Sequence, residues 1–462
     1  MNKTVVIDIV GLSTSLLGEH TPFLTDYIAR HHFTHIRPVL PALTTTAQTC
    51  YLTGQWPAQH GIVGNGWYDR TDAEIKFWKQ SNHLVQAENI WERAKREDPT
   101  FTCSQMFWWY NMYADVDFSA TPRPQYHADG LKLPDCYTHP AALREELTAR
   151  LGTFPLFSFW GPKTTIDSSR WIARAAMHVE EQHNPTLTLI YLPHLDYGLQ
   201  RYGVNFAKIA PDLREIDALV AEVVTFYQKR GAQVILLSEY GINPVSRPVY
   251  INRILREAGL IQVRVEAGRE LLDAGASAAF ATPDHQIAHI YVDDPAQIPA
   301  IKTLLSNVPG VAEVLDEAGK TAHHLNHERA GDLVAIADPD SWFAYYYWLD
   351  EAKKPDFAQA VDIHRKPGYD PAELFLDQTN PFISAKAAYK LARKLLGFRY
   401  LMDVISLDAT LVKGSHGAIN VGREFYPVLI TDRPQPQPEL EAIAVYDVLW
   451  QHLTEAKQAE NP

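Results

Sequence analysis

The chain has 462 residues, of which 46% are apolar and 21% charged, a composition typical of a folded globular protein and unlike that of a disordered one. Its formal net charge of -13 disfavours nucleic acid as a partner, because phosphate backbones are bound by clustered lysine and arginine. The three cysteines have no disulfide or metal-binding spacing, and neither a signal peptide nor an apolar run of membrane-spanning length is apparent. We therefore expect a cytoplasmic protein without a membrane span.

Residues 1–245 alternate apolar runs with helical patterns, which predicts an α/β fold with a mostly parallel central sheet and helices on both faces. Three of the apolar runs lead into a carboxylate, at Asp8, Asp196 and Glu239. A single acid after a strand is usually a turn or capping residue, but the carboxyl ends of parallel strands meet at one edge of the sheet, where ligands bind. Acids that converge there repel one another unless a cation neutralises them, so the pattern indicates a metal site.

The segment 41–65 is the second informative stretch. Four threonines lie where a helix would begin, at positions 44, 45, 46 and 49. A hydroxyl at such a position meets backbone N–H groups and the positive end of the helix dipole, which stabilise an alkoxide or a bound phosphate. The alternative is simple N-capping, the usual role of threonine at a helix start.

The stretch 246–330 has a different pattern and predicts a small inserted α+β cap. Residues 286–292 and 308–314 are typical of short strands, and residues 298–305 between them of a helix. The chain is expected to return to the central sheet at 331–338 and again at 426–431. This divides it into the N-terminal part of the core (1–245), the inserted cap (246–330) and the C-terminal part of the core (331–462).

The motifs taken in order resemble those of the alkaline phosphatase superfamily, most closely its type I phosphodiesterase/nucleotide pyrophosphatase branch. They are Pro41-x-x-Thr44, Thr53-Gly54, Pro57-x-x-His60-Gly61-Ile62, Asn65 and Gly414-Ser415-His416-Gly417. The resemblance implies an alkaline-phosphatase-like fold and two divalent metal ions, normally zinc. It also implies that Thr44 is the nucleophile, with Thr45 and Thr46 as weaker candidates, and that Asn65 donates to a phosphoryl oxygen.

The chain departs from the family at three metal-binding positions. Where the family has Asp-x-x-x-His, this chain ends on Gln200, and where the family has Asp-His, it has Glu239-Tyr240. Because amide and phenol oxygens are poorer and harder ligands than imidazole, three readings stay open. The site binds zinc weakly or prefers Mn²⁺ or Mg²⁺, it recruits other ligands, or it has lost one metal and the usual chemistry.

A candidate replacement ligand is His364, in the polar stretch 362–370. Its neighbours Arg365 and Lys366 are predicted to bind a phosphate oxygen, although an exposed charged loop is an equal alternative. Trp108 and Tyr110, in the aromatic run 107–113, are predicted to contact the substrate. The alternative for this run is a plain buried strand, and the cluster Trp342 and 345–348 has the same two readings.

We expect, by this resemblance, a metal-dependent hydrolase that cleaves a phosphodiester or pyrophosphate bond in a small phosphorylated molecule. The predicted metal ligands are Asp8, Thr44, Asp196, Gln200, Glu239, Tyr240, His364 and His416. The alternatives on the same scaffold are a phosphomonoesterase, a phosphonate hydrolase, a phosphomutase, or a degenerate non-catalytic protein that binds a phosphorylated metabolite or a partner protein. The sequence does not indicate an oligomeric state.

Overall fold

The computed structural model describes residues 1–128, 131–435 and 437–455. Within these ranges the central sheet has nine strands, and seven of them run in the same direction. Across the sheet their order is Glu439–Glu441, His32–Arg37, Val428–Thr431, Gln233–Leu237, Thr4–Ile9, Leu187–Leu192, Cys103–Met106, Phe118–Pro122 and Cys136–His139. The prediction of a mostly parallel α/β sheet is confirmed.

The central strands Thr4–Ile9, Leu187–Leu192 and Gln233–Leu237 are buried along their whole length, so both of their faces are covered. The helices are Pro22–Arg30, Thr44–Thr53, Pro57–His60, Ile90–Glu97, Ala142–Leu151, Leu156–Phe159, Asp167–His183, His194–Tyr202, Phe206–Gln228, Ile251–Glu257, Ile298–Ser306, Glu317–Ala322, Ile383–Leu395 and Val445–Thr454. Over the part of the chain that the structure describes, we find no helix with the length and apolar character needed to cross a bilayer.

A second, antiparallel sheet is formed by Ala279–Asp284, Ile287–Val292, Leu333–Ala337 and Val311–Leu315, in that spatial order. The prediction that residues 331–338 return to the central sheet is wrong, because Leu333–Ala337 pairs with two strands of this second sheet. The run is apolar and buried, which marks a strand but not the sheet that it joins. The division into a core and an inserted cap stays a proposal, with this antiparallel sheet as the centre of the cap.

Five two-stranded pairs complete the fold. They are Gly66–Asp69 with Glu74–Phe77, Gln125–Tyr126 with Lys132–Leu133, Asn243–Pro244 with Gly414–Ser415, Arg247–Val249 with Ser341–Phe343, and Val263–Glu266 with Arg269–Leu272. One of these pairs matters for function. By pairing with Asn243–Pro244, the strand Gly414–Ser415 brings His416 beside the chain that has just passed Glu239.

The aromatic run 107–113 is not a strand. The strand Cys103–Met106 ends just before it, and Phe107, Tyr110 and Tyr113 have φ angles of 68°, 55° and 64°. These left-handed conformations turn the chain at the carboxyl edge of the sheet. A strand would place these side chains alternately on its two faces, but the turns at these three residues interrupt that alternation. The residue types alone do not indicate the turns.

Candidate active site

The three predicted acids do converge at the carboxyl edge of the central sheet. Asp8 lies near the end of its strand, opposite Leu237 in the neighbouring parallel strand, and Glu239 follows two residues later. Asp196 lies in the first turn of the helix His194–Tyr202, which begins directly after the strand on the other side of Asp8. All three side chains are buried.

Thr44 is the first residue of the helix Thr44–Thr53 and is 3% exposed. The helix cap is Leu43, and no side chain caps this end, so the threonines do not serve as N-caps. Thr45 instead anchors the turn, because its backbone N–H donates to Asn65 Oδ1 at 3.3 Å and its hydroxyl donates to the carbonyl of Gly64 at 2.8 Å. The Thr44 hydroxyl is left facing the acids.

Gln48, one turn further along this helix, lies between two of the acids. Its Nε2 donates to Asp8 Oδ2 at 3.4 Å and to Glu239 Oε1, while its Oε1 accepts from the backbone N–H of Trp109 at 2.7 Å. Sequence reasoning missed Gln48, and only its position four residues after Thr44 on a buried helix could have indicated it. An amide thus gives these carboxylates one neutral donor each.

Gln200 occupies the position where the family has a histidine ligand, yet both ends of its amide are engaged. Its Nε2 donates to Asp196 Oδ2 at 2.7 Å, and its Oε1 accepts from the hydroxyl of Tyr369 at 2.9 Å. His416 lies on the other side of Asp196, with its Nε2 at 3.9 Å from Asp196 Oδ1. The sequence did not indicate Tyr369 as part of the site.

Tyr240 lies between Thr44 and Asp196, and so joins the part of the site around Asp8 and Glu239 to the part around Asp196. Its hydroxyl lies 3.2 Å from Thr44 Oγ1 and 3.5 Å from Asp196 Oδ1, and its ring stacks on the ring of His416 at 3.5 Å. The phenol therefore acts in this structure as a hydrogen-bonding bridge, and its predicted role as a metal ligand gains no support from these contacts.

Asn65 is held by an acid that sequence reasoning missed. Asp284 accepts from the backbone N–H of Asn65 at 3.1 Å and from its Nδ2 at 3.3 Å. The same carboxylate lies 2.8 Å from Nδ1 of His285. The sequence feature that could have indicated Asp284 and His285 is an Asp-His pair between two apolar strands. A hairpin turn at this place brings both side chains to the end of a sheet.

The rings of Tyr240, His416, His285 and Tyr369 form one column, which we call the ring column. Successive centroids are 3.5, 3.8 and 3.7 Å apart. The glycine pair around His416 permits this packing. A Cβ at Gly414 would lie 2.2 Å from the carbonyl oxygen of Leu199, and Gly417 has a φ of +113° against the turn at Gln286.

Burial shifts the pKa values of the acids strongly. It raises the pKa of Asp196 to about 7, against the hydrogen bond from Gln200, and that of Glu239 to about 7. Burial and the adjacent charge of Glu239 hold the pKa of Asp8 well above its usual value. Three acids in this state favour a proton or a cation beside them.

Chelator-treated protein is expected to lose at least roughly 2 kcal/mol of unfolding free energy between about pH 6.5 and 8, with a little under 1 kcal/mol each from Asp196, Glu239 and Asp284. Burial raises the pKa of all three to about 7, so the folded chain holds their protons more tightly than the unfolded chain, and stability falls as pH rises through that value. Asp8, whose pKa is also raised by burial, adds to this fall. Below about pH 6.5 the trend is opposed by His285 and His416, whose pKa values are lowered by burial.

Urea unfolding at several pH values measures this fall. Asp196→Asn removes one titrating group and should make the slope shallower, and a saturating divalent cation should flatten it further, since the cation binds the ionised acids. If the unfolding free energy of Asp196→Asn falls as steeply with pH as that of the unaltered protein, the titration of Asp196 in this pH range is contradicted.

The donor atoms present suit a cation, and four of them are buried without a hydrogen-bond partner. These are Asp8 Oδ1, Glu239 Oε2, His285 Nε2 and His416 Nε2. Buried polar atoms are rarely left unpaired unless an ion or water completes them. The donors are nevertheless spread more widely than around a bound ion. In the described ranges, the one group of three His, Cys, Asp or Glu donors within 4.8 Å of one another is His194, Asp212 and Glu215. His194 begins the helix that carries Asp196, and the two acids lie in the following helix, Phe206–Gln228.

The polar stretch 362–370 does not supply the predicted site residues. His364 Nδ1 lies 3.3 Å from the carbonyl of Phe77, and none of its contacts reaches Asp8, Asp196 or Glu239. Arg365 is exposed and pairs with Asp356 at 2.9 Å. Their assignments to a metal and to a phosphate gain no support from this placement.

Lys366 is buried and its amine is fully used. It lies 2.7 Å from a carboxylate oxygen of both Asp370 and Glu373. The assignment of Lys366 to a phosphate oxygen gains no support from these contacts, and the alternative of an exposed loop does not hold for this residue, because it is buried in an ion-pair network.

Of the two predicted substrate-contacting aromatics, Trp108 is completely buried in the core around the central sheet. Tyr110 is 3% exposed and packs in the second core, with its phenol beside Thr45. Trp342 and residues 345–348 are likewise buried in the second core. These rings are packed in the interior around the site, as the alternative reading expects, but residues 107–112 are buried without forming a strand.

Comparison with known proteins accords with this geometry. Residues 4–370 match the family model of type I phosphodiesterase/nucleotide pyrophosphatase. The chain belongs to this family. An uncharacterized pyrophosphatase/phosphodiesterase of Schizosaccharomyces pombe is 23% identical over 385 residues, which cover 80% of this chain and 68% of the relative. The prediction of an enzyme of the phosphodiesterase/pyrophosphatase class is confirmed by the family.

Solved structures of similar fold cover nearly the whole chain. An inactive murine ectonucleotide pyrophosphatase/phosphodiesterase 5 in complex with AMP has a TM-score of 0.59 at 13% identity, covering 100% of this chain and 97% of the murine one. Phosphonoacetate hydrolase from Sinorhizobium meliloti 1021 in complex with phosphonoacetate has a TM-score of 0.62 at 14% identity, covering 98% and 96%.

Proposed function

We propose that this protein is a metal-dependent hydrolase that cleaves a phosphodiester or pyrophosphate bond in a small phosphorylated molecule, with Thr44 as the nucleophile. The observation that carries the proposal is the position of the Thr44 hydroxyl, at a helix start, facing the buried acids and 3.2 Å from the hydroxyl of Tyr240. The family and the Schizosaccharomyces pombe relative are named for the same reaction class.

Two sets of residues would hold divalent cations. Asp8, Thr44 and Glu239 offer only oxygen and suit Mg²⁺ or Mn²⁺, whereas Asp196 and His416 offer oxygen and nitrogen and suit Zn²⁺. A divalent cation bound here lowers the pKa of a hydroxyl that it contacts and offsets charge on phosphoryl oxygens.

The chain's own residues perform the remaining steps of the proposed reaction. The Thr44 hydroxyl gives its proton to the neighbouring Glu239 carboxylate, and Oγ1 forms a bond to phosphorus as the bond to the leaving oxygen breaks. Water then attacks phosphorus and breaks the bond from phosphorus to Oγ1, which releases the phosphate product and restores the Thr44 hydroxyl. Backbone N–H groups at the helix start and the second Nδ2 hydrogen of Asn65 donate to the phosphoryl oxygens. Asp284 orients that amide, and Tyr240 orients the Thr44 hydroxyl.

The antiparallel sheet contributes Asp284 and His285 to the site, which supports its proposed role as a cap over the leaving group. Cys50, Cys103 and Cys136 are buried and unbridged, which accords with a reducing compartment and supports the cytoplasm as the location.

A second candidate is phosphonate hydrolysis, favoured by the fold similarity to phosphonoacetate hydrolase. The test is a panel of bis-p-nitrophenyl phosphate, p-nitrophenyl phosphate and phosphonoacetate, each assayed with Zn²⁺, Mn²⁺ and Mg²⁺ on protein purified without chelators. We expect kcat/KM for the diester to exceed that for the monoester by at least about 100-fold, a difference of roughly 2.7 kcal/mol in transition-state binding.

Preferential cleavage of phosphonoacetate would replace the proposal by the second candidate. Absence of turnover with every substrate and ion would favour a non-catalytic binding protein, in which the amides of Gln48 and Gln200 stand in for metal ions.

A further inference from the structure

The Asp196–His416 part of the site has only one imidazole, that of His416, because position 200 is glutamine and both ends of its amide are engaged. Two donors are too few to hold a zinc-like cation, which takes three or four protein ligands. Any further nitrogen donor must therefore come from another part of the chain.

His285 has the local environment of a metal-binding histidine. Its Nδ1 lies 2.8 Å from Asp284 Oδ1, and the same oxygen accepts a hydrogen bond from Asn65 Nδ2. When Asp284 is ionised, Nδ1 donates its proton to that carboxylate, and the buried Nε2 has no hydrogen-bond partner. His416 has the same arrangement, with Nδ1 2.8 Å from the carbonyl of Ala42 and Nε2 unpartnered. Metal-bound histidines almost always donate their second N–H to such an acceptor.

The backbone holds His285 against His416. The residue has a φ of +60° in the turn between two strands of the antiparallel sheet, a conformation that is uncommon outside glycine. The next residue, Gln286, donates its N–H to the carbonyl of His416 at 2.9 Å, and the carbonyl of His285 accepts from Phe343 N–H at 2.8 Å. The two imidazole rings are 3.8 Å apart and tilted by 36°.

We propose that His285, oriented by Asp284, is the third protein ligand of a zinc-like divalent cation held with Asp196 and His416. The inference rests on the proposed function, which supplies the cation. His285, in the turn of the antiparallel sheet, would supply the imidazole that is missing at position 200. Because the three residues do not form a group with all donor atoms within 4.8 Å, binding must also shift the ring column that contains Tyr240 and Tyr369.

The experiment titrates Co²⁺ and Zn²⁺ into chelator-treated full-length protein. It follows the visible absorption of bound Co²⁺, the calorimetric Zn²⁺ affinity and the ultraviolet absorption of the tyrosines. Removal of an outer-shell partner costs about 10- to 100-fold in metal affinity, so Asp284→Asn should fall in that range and His285→Ala should lose at least about 100-fold. The matched control is His364→Ala, at an exposed histidine outside the site, and this variant should titrate as the unaltered protein does.

Gln200→His combined with His285→Ala keeps the test decisive if the single variant is unstable, because the new imidazole should restore affinity. An unchanged Co²⁺ spectrum and Zn²⁺ affinity in a folded His285→Ala protein would overturn the inference, and diester hydrolysis by that protein would leave the proposed function standing. Failure of the unaltered protein to bind either ion overturns both. Binding that depends on His285 without any hydrolysis supports the inference and contradicts the proposed function.

Discussion

Thr44→Ala is expected to reduce kcat for diester hydrolysis by roughly a thousandfold to a millionfold, the range seen when a catalytic nucleophile is removed. The substitution removes the hydroxyl together with one methyl group, and this hydroxyl is the one that lies 3.2 Å from the hydroxyl of Tyr240. The backbone N–H groups of the helix start are retained, so substrate affinity should change much less than kcat.

Thr46→Ala is the matched control. Thr46 lies in the same turn, is equally buried, and its hydroxyl has no hydrogen-bond partner. We expect it to retain activity within about threefold, a change below roughly 0.7 kcal/mol in transition-state binding. Mass spectrometry of acid-quenched reactions should detect a phosphoryl group on Thr44. Activity that survives Thr44→Ala would show that Thr44 is not the nucleophile. Loss of activity in Thr46→Ala would point to Thr46 instead.

The part of the site that could be predicted consists of residues whose place follows from local pattern. Asp8, Asp196 and Glu239 each follow an apolar strand, so parallel pairing alone brings them to one edge. Thr44 and His416 lie in short motifs whose order along the chain is itself informative. The mostly parallel sheet was predictable for the same reason, because burial on both faces leaves continuous apolar runs.

The part that could not be predicted depends on contacts between distant segments. His285 reaches the site only because a hairpin of the second sheet packs against the loop that carries His416. Gln48 lies between two acids because the helix docks at their strands' ends. The sequence predicts that Leu333–Ala337 belongs to the central sheet, which is wrong, because the apolar character of a strand does not indicate which strands it pairs with. Local patterns thus find the acids, but tertiary packing decides which neutral groups surround them.

Lys366→Ala is expected to lower the unfolding free energy by about 3–5 kcal/mol, because it leaves two buried carboxylates without their cation. Burial lowers the pKa of the Lys366 amine, but Asp370 and Glu373 outweigh it and raise the pKa above its usual value, so the amine is charged. The sequence predicts that Lys366 contacts a phosphate. If that prediction is right, Lys366→Ala should leave the unfolding free energy unchanged and raise KM.

Urea unfolding and steady-state kinetics on the same samples separate these outcomes. Arg365→Ala is the control, since its exposed ion pair should contribute at most about 1 kcal/mol. Combining Lys366→Met with Asp370→Asn and Glu373→Gln should recover much of the loss, because neutral groups need no cation. A stable Lys366→Ala protein with a raised KM would restore the phosphate-binding interpretation.

The loss should also reach the active site, because the Lys366 network supports the turn that carries Tyr369. The ring of Tyr369 stacks on His285 at 3.7 Å and its hydroxyl donates to Gln200, which in turn donates to Asp196. A loosened turn should therefore weaken cation binding at Asp196 while the Thr44 helix stays in place. Zn²⁺ titration of Lys366→Ala, under conditions where it remains folded, should show weaker binding than in Arg365→Ala. Equal affinities would show that the ion-pair network stabilises the fold without positioning the site.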